Sequence, residues 1–156
     1  MIVNEIKKLQ AYSLNNNEIN VEVLKDLMFE AADENIFNLL MKILAKDKTD
    51  AIVLFDQLIQ RKYILPNIIS IIANQLFDLK IQKQAILKYR RISLWDLSSK
   101  IGVSYFILKK NEVLLNNITM SKLNNMLNDL LIIDYNIKTM QLIPITAFKL
   151  FILKDN

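Results

Sequence analysis

The residues that carry most enzyme chemistry are missing from this sequence. Its 156 residues include no Cys and no His, so it offers no thiol nucleophile, no imidazole base and no nitrogen or sulfur ligand for zinc. No GxxxxGK[ST] pattern occurs either, so no loop is expected to hold a triphosphate. The sequence therefore predicts no catalytic residue, no metal site and no cofactor. That the chain is an enzyme of unknown type remains a hypothesis, but no group of residues supports it.

One segment has residues of the kind that bind nucleic acid. Ser93 and Asp96 have the spacing of a capping box, Gly102 is the only glycine, and a second helix is predicted from Ser104. This is the outline of a helix-turn-helix over residues 94–110, with basic side chains around it that could hold phosphates. The same outline is typical of structural corners in helical proteins, and a net charge of +4 is modest, so both interpretations stay open. The candidate nucleic-acid contacts are Arg90, Arg91, Lys109 and Lys110.

A single carboxylate interrupts an apolar stripe near the C-terminus. Steps of three and four residues from Leu123 lead to Asp134 and then to Ile137, so Asp134 is expected to be partly buried and paired. Lys138 lies one helical turn further on and can supply the partner. A catalytic acid is the alternative, but one carboxylate without a second acid, a base or a metal ligand does not make a reaction centre. The pattern predicts a structural ion pair.

The elements that position these groups are predicted to be helices throughout. Apolar residues make up 53% of the chain, with one Gly and two Pro, which favours long helices joined by short connections. Apolar residues recur at helical spacing, and no segment alternates with a period of two. The fold class is therefore all-α, a bundle of about eight or nine helices. A helix from Pro66 to about Ile81 is apolar on more than one face, so it is expected to be central or part of an interface.

Neither a membrane span nor an export signal is expected. The longest uncharged run, residues 63–77, contains Pro66, Asn67 and Asn74, and it is too short and too polar to cross a bilayer. The first residues, 1–5, lack a basic segment followed by an apolar one. The sequence predicts a cytoplasmic protein that contacts no membrane and takes no small-molecule substrate.

Five segments are informative by their order and spacing: DENIFNLL at 33–40, LPNIISIIANQLFDLK at 65–80, LWDLSSKIGVSYFILKK at 94–110, and DLLIIDYNIKT and LIPITAFKLFIL within 129–153. The last two place an aspartate four residues before a lysine, followed after a short gap by an apolar helix. Together these segments resemble the C-terminal region of the delta subunit of bacterial DNA polymerase III, a member of the clamp-loader family, and the aspartate–lysine spacing is the most specific part of the resemblance. The pieces NEIKKLQAYS and NEINVEVLKDLM resemble the last two helices of that family's lid domain.

The resemblance implies a collar domain at residues 34–156, preceded by a remnant of the helical lid domain at 1–33. Collar domains of five subunits pack into a ring that holds the clamp loader together, so the implied function is that of a non-catalytic assembly module in DNA replication. The implied partners are the ATPase subunits of gamma or tau type and delta prime, with DNA contacted indirectly or weakly. An interface of this kind needs an apolar surface. The candidate interface residues are Ile68, Ile71, Ile72, Phe77, Phe148 and Phe151.

Overall fold

A computed structural model of the chain describes residues 34–89 and 92–154. Every regular element in these residues is a helix, which confirms the predicted all-α class. Internal contacts divide the chain into the units 1–35 and 36–156. The predicted lid remnant at 1–33 lies outside the described residues. The described helices are α1 (34–44), α2 (Lys48–Gln60), α3 (Leu65–Lys88), α4 (Leu94–Ile101), α5 (Tyr105–Asn117), α6 (Met120–Lys138) and α7 (Pro144–Leu153).

Side-chain caps fix where three of these helices begin. The Asp47 carboxylate accepts from the amide of Asp50 at the start of α2, and the Ser93 hydroxyl accepts from the amide of Asp96 at the start of α4. Thr119 does the same for α6. Each cap satisfies an amide that has no partner inside its own helix. Helices α3 and α7 instead begin with a proline in the first turn, where a missing amide hydrogen costs nothing.

Left-handed residues end several helices. Gly102 has φ 68° at the end of α4, which a glycine adopts without steric cost. Met140 has φ 55° just after α6, where an L-residue with a side chain is strained. The α6–α7 connection therefore has the backbone that a glycine would suit, although a methionine occupies it.

Helix α3 is the centre of the main core. It packs along α6, and residues near its start share a groove with residues near the end of α6, so the two helices run in opposite directions. Phe148 of α7 is fully buried and lies 4.8 Å from the ring of Phe55 on α2. Aromatic contacts of this kind add to the free energy gained by burying the rings. Side chains from α1, α2, α3, α6 and α7, together with Leu115 of α5, thus form one continuous core.

A second, smaller core holds α4 and α5 against the C-terminal part of α3. It contains Ala85, Leu97 and Leu108. The sequence placed the end of α3 near Ile81, which is wrong, because the helix continues to Lys88. Residues 82–88 pack against this second core, and their local sequence pattern does not reveal that contact.

Candidate subunit interface

The six predicted interface residues occupy two different environments. Ile68, Ile72, Phe148 and Phe151 lie in the core with exposures of 2% or less, so their side chains present no surface to a partner. Ile71 is half-buried against the same core, whereas Phe77 is 53% exposed. Among the six, only Phe77 and the outer edge of Ile71 offer surface for an interface.

A further apolar surface lies on α6 and α7. The sequence predicts the last helix as a candidate contact through Phe148 and Phe151, but it does not identify the residues that are exposed there. Ile132, Leu142 and Leu150 line one hollow of about 220 Å³ between α6 and α7. One helical turn from these residues, Tyr135 follows Ile132 on α6 and Leu153 follows Leu150 on α7. All five side chains are between 41% and 62% exposed. We call this group the C-terminal patch: Ile132, Tyr135, Leu142, Leu150 and Leu153.

The charged side chains around the C-terminal patch are paired within the chain. Lys154 Nζ lies 2.7 Å from both carboxylate oxygens of Asp129, and these two residues line the same hollow as the patch. Lys149 of α7 lies 2.7 Å from Asp56 of α2. Because each of these ammonium groups already has a carboxylate, the patch combines exposed apolar side chains with an internally neutralised border.

A second apolar groove runs between α3 and α6, with a volume of about 450 Å³. Its walls include Ile69, Ala73 and Leu130, and Asp134 and Lys138 also line it. Lys138 Nζ lies 2.5 Å from the Asp134 carboxylate, one turn away on α6. The Asp134 side chain is 28% exposed and that of Lys138 is 68% exposed. The carboxylate is thus partly buried and charge-paired at the edge of the groove.

The helix-turn-helix segment folds as α4, the glycine turn at Gly102 and α5. Arg90 and Arg91 lie outside the described residues. Lys109 Nζ donates to Glu112 at 2.7 Å, and this hydrogen bond raises the pKa of the Lys109 ammonium. Lys110 Nζ lies 4.6 Å from the centre of the Phe37 ring. Two apolar side chains on the outward surface of α5 are strongly exposed, Phe106 at 79% and Val113 at 73%.

The described residues hold no group that could bind a metal ion through three or more His, Cys, Asp or Glu side chains. In the same ranges, no helix combines the length and the apolar character that crossing a bilayer requires. The described helices form two apolar hollows, one between α3 and α6 and one between α6 and α7, and α5 carries exposed apolar side chains.

Similarity to known proteins indicates the family and the fold of the chain. A family model described as the DNA polymerase III delta subunit, C-terminal domain, matches residues 33–154. Among solved structures, the chain is similar to the DNA clamp loader delta protein of Bacillus subtilis, with a TM-score of 0.68 and 24% sequence identity. That alignment covers 96% of this chain and 44% of the Bacillus chain, so this chain spans less than half of that protein's length. No curated protein matches the sequence.

Proposed function

The chain belongs to the family formed by the C-terminal domain of the DNA polymerase III delta subunit, and from this premise we propose that it is a non-catalytic assembly module of a clamp loader, binding neighbouring subunits through its C-terminal patch. The neighbours are the ATPase subunits of gamma or tau type and delta prime. Residues 34–156 form the collar domain in this proposal, and residues 1–33 belong to the lid. The module takes part in DNA replication without contacting a small-molecule substrate.

The exposed apolar surface of the C-terminal patch is the observation that carries the proposal. A monomer gains nothing from leaving Leu150 and Tyr135 each 62% exposed, whereas a partner that covers them gains the free energy of burying apolar area. Tyrosine is also one of the residues enriched at the centres of protein interfaces. Such a surface suits a permanent neighbour.

The charge pattern at the border indicates what kind of neighbour fits. Because Lys149 and Lys154 are paired with Asp56 and Asp129, a strongly acidic partner would have to compete with carboxylates already in place. An apolar, neutral surface meets no such competition. Association driven by apolar burial depends little on ionic strength, so the complex is expected to persist when salt is raised.

Size-exclusion chromatography with light scattering tests the proposal. The full chain is run alone and mixed with the ATPase and delta-prime subunits of the same organism's clamp loader, at low and at high salt. A complex that co-elutes at both salt concentrations supports assembly through apolar burial. A chain that stays monomeric in every mixture contradicts it.

A pair of matched variants assigns the contact to the C-terminal patch. Leu150→Ser removes an apolar side chain that is 62% exposed, and Ile64→Ser removes one that is 63% exposed just before α3 and is not one of the five patch residues. Neither side chain is in the core, so both variants are expected to fold. Leu150→Ser is expected to lower the affinity for the partner subunits about tenfold or more, as truncation of a central interface residue does, so less complex co-elutes. Ile64→Ser is expected to leave this affinity unchanged. Equal behaviour of the two variants would place the interface elsewhere.

A further inference from the structure

The net charge of the chain is confined to one short segment. Residues 88–112 contain six Lys and Arg and two Asp and Glu, and the whole chain contains 20 basic and 16 acidic residues. The remainder of the chain thus has fourteen of each and is neutral, so the full net charge of +4 belongs to residues 88–112. A segment of the sequence with this excess of basic residues favours an acidic partner.

Of this segment, the structure describes residues 88–89 and 92–112, which form a corner between the end of α3, α4 and α5. Lys88 Nζ and Lys100 Nζ lie 5.3 Å and 4.9 Å from the centre of the same ring, that of Tyr89. A tyrosine ring holds ammonium groups in place through its electron-rich face. Two lysines distant in sequence are thereby brought together on one side of the corner.

Exposed apolar side chains lie on α4 and α5 of the same corner. The rings of Trp95 and Tyr105 are 5.5 Å apart, and those of Tyr105 and Phe106 are 5.8 Å apart, so the three rings form a continuous ridge across the glycine turn. Trp95 is 66% exposed and Phe106 is 79% exposed. On α5 the apolar surface continues with Ile107 and Val113, which are 49% and 73% exposed.

We propose that this corner is a second docking surface, separate from the C-terminal patch, and that it binds an acidic peptide segment of a partner protein that also carries large apolar residues. The apolar residues of the peptide cover the ring ridge, and its carboxylates meet Lys88, Lys100 and Lys110. Charge complementarity therefore selects the partner, and burial of the ridge supplies most of the affinity.

Nucleic acid fits the same corner less well. Bases gain affinity by stacking on aromatic rings, but Ile107 and Val113 offer no ring and need an apolar partner to be covered. The ring of Tyr105 already contacts its neighbours on both sides, and Lys109 is occupied by Glu112. An amphipathic acidic peptide uses the aliphatic and aromatic residues alike.

A selection from a random peptide library displayed on phage tests the proposal, with the full chain as the target. Peptides enriched on the chain are expected to carry an excess of Asp and Glu together with large apolar residues at helical spacing. The enriched peptide is then synthesised, and its binding is measured by fluorescence anisotropy against the chain and its variants. An absence of enrichment, or enrichment without an acidic excess, would overturn the proposal.

The variants separate this corner from other surfaces. Phe106→Ser and Lys100→Glu are each expected to weaken peptide binding about tenfold. Ile64→Ser, which removes a 63% exposed apolar side chain outside the corner, is expected to leave binding unchanged. Added salt weakens binding because the peptide is held partly by exposed charges. Unchanged binding by Phe106→Ser would overturn the proposal. A poly-dT oligonucleotide or a short duplex that binds more tightly than the peptide, and loses affinity in the same variants, would assign the corner to nucleic acid instead.

Discussion

Asn111 of α5 donates a hydrogen bond from its side-chain amide to the side-chain carbonyl of Gln82 on α3, with 3.1 Å between Nδ2 and Oε1. The two residues are 6% and 3% exposed and lie where α5 crosses α3. Lys83, the next residue on α3, donates to the backbone carbonyl of Leu115 at 2.6 Å. These two polar contacts fix the position of α5, and with it the corner that carries Trp95 and Phe106.

Breaking the amide pair from one side is expected to destabilise the protein more than removing both amides. Asn111→Ala leaves the Gln82 carbonyl buried without a donor, which costs about 1–3 kcal/mol. In the double variant Gln82→Met with Asn111→Leu, both amides of the pair are gone and neither leaves the other unpaired, so much of that loss is recovered. Urea unfolding of the two proteins measures the difference. A double variant less stable than Asn111→Ala would contradict this explanation.

Much of the architecture could be predicted because each helix is locally specified. The apolar period, the caps at Asp47 and Ser93 and the glycine at Gly102 are all readable in the residues themselves, and the all-α class is confirmed. The resemblance to the delta subunit, which rests on the order of several degenerate segments, is confirmed by the family match over residues 33–154.

The direction in which apolar side chains point could not be predicted. Helix α7 is apolar almost all the way round, so its sequence gives no reason to choose Phe148 and Phe151 over Leu150 and Leu153. Burial of Phe148 and Phe151 is decided by contacts with distant residues such as Phe55. A partial signal was present on α6, where Ile132 and Tyr135 form an apolar stripe beside the core positions Leu123 and Leu130.

Two neighbouring leucines on α6 provide a matched test of which apolar side chains face the core and which face solvent. Leu130 is 1% exposed and Leu131 is 66% exposed. Leu130→Ala removes buried methyl groups and is expected to cost about 2–5 kcal/mol. Leu131→Ala makes the same chemical change at the surface and is expected to cost no more than about 0.5 kcal/mol. Thermal or urea unfolding measures both, and similar losses would show that Leu130 does not face the core.

Replacing Met140 with glycine is expected to stabilise the protein. Met140 is 93% exposed with φ 55°, so glycine relieves backbone strain of about 1–2 kcal/mol without removing a buried side chain. The greater freedom of glycine in the unfolded chain offsets part of this, leaving a gain of about 0.5–1 kcal/mol. Met140→Ala retains the strain and serves as the control. No difference between the glycine and alanine variants would show that the turn is unstrained.

The Asp134–Lys138 pair is expected to make a small, salt-dependent contribution to stability. Asp134→Ala removes an ion pair between residues one turn apart, which stabilises a helix by about 0.5 kcal/mol. Asp78, an exposed carboxylate on α3, is the control for the loss of a negative charge. Unfolding at low and high salt should show a larger loss for Asp134→Ala that shrinks as salt rises. Equal, salt-independent losses for both variants would contradict a specific pair.

Acid is expected to weaken the junction between α1 and α2. Lys42 Nζ lies 2.8 Å from the Asp47 carboxylate, and this hydrogen bond, assisted by the Asp50 amide, holds the pKa of Asp47 below its usual value. A carboxyl group whose pKa is lower in the folded than in the unfolded state contributes stability above the unfolded pKa and loses it as pH falls through the folded pKa. Asp47→Asn keeps a cap residue but removes the charge, so the stability difference from the unaltered chain should be constant at neutral pH and vanish below the folded pKa. Unfolding followed from neutral to strongly acidic pH measures this stability difference, and Asp78→Asn is the control. A difference that persisted in strong acid would show that the charge of Asp47 is not what stabilises the junction.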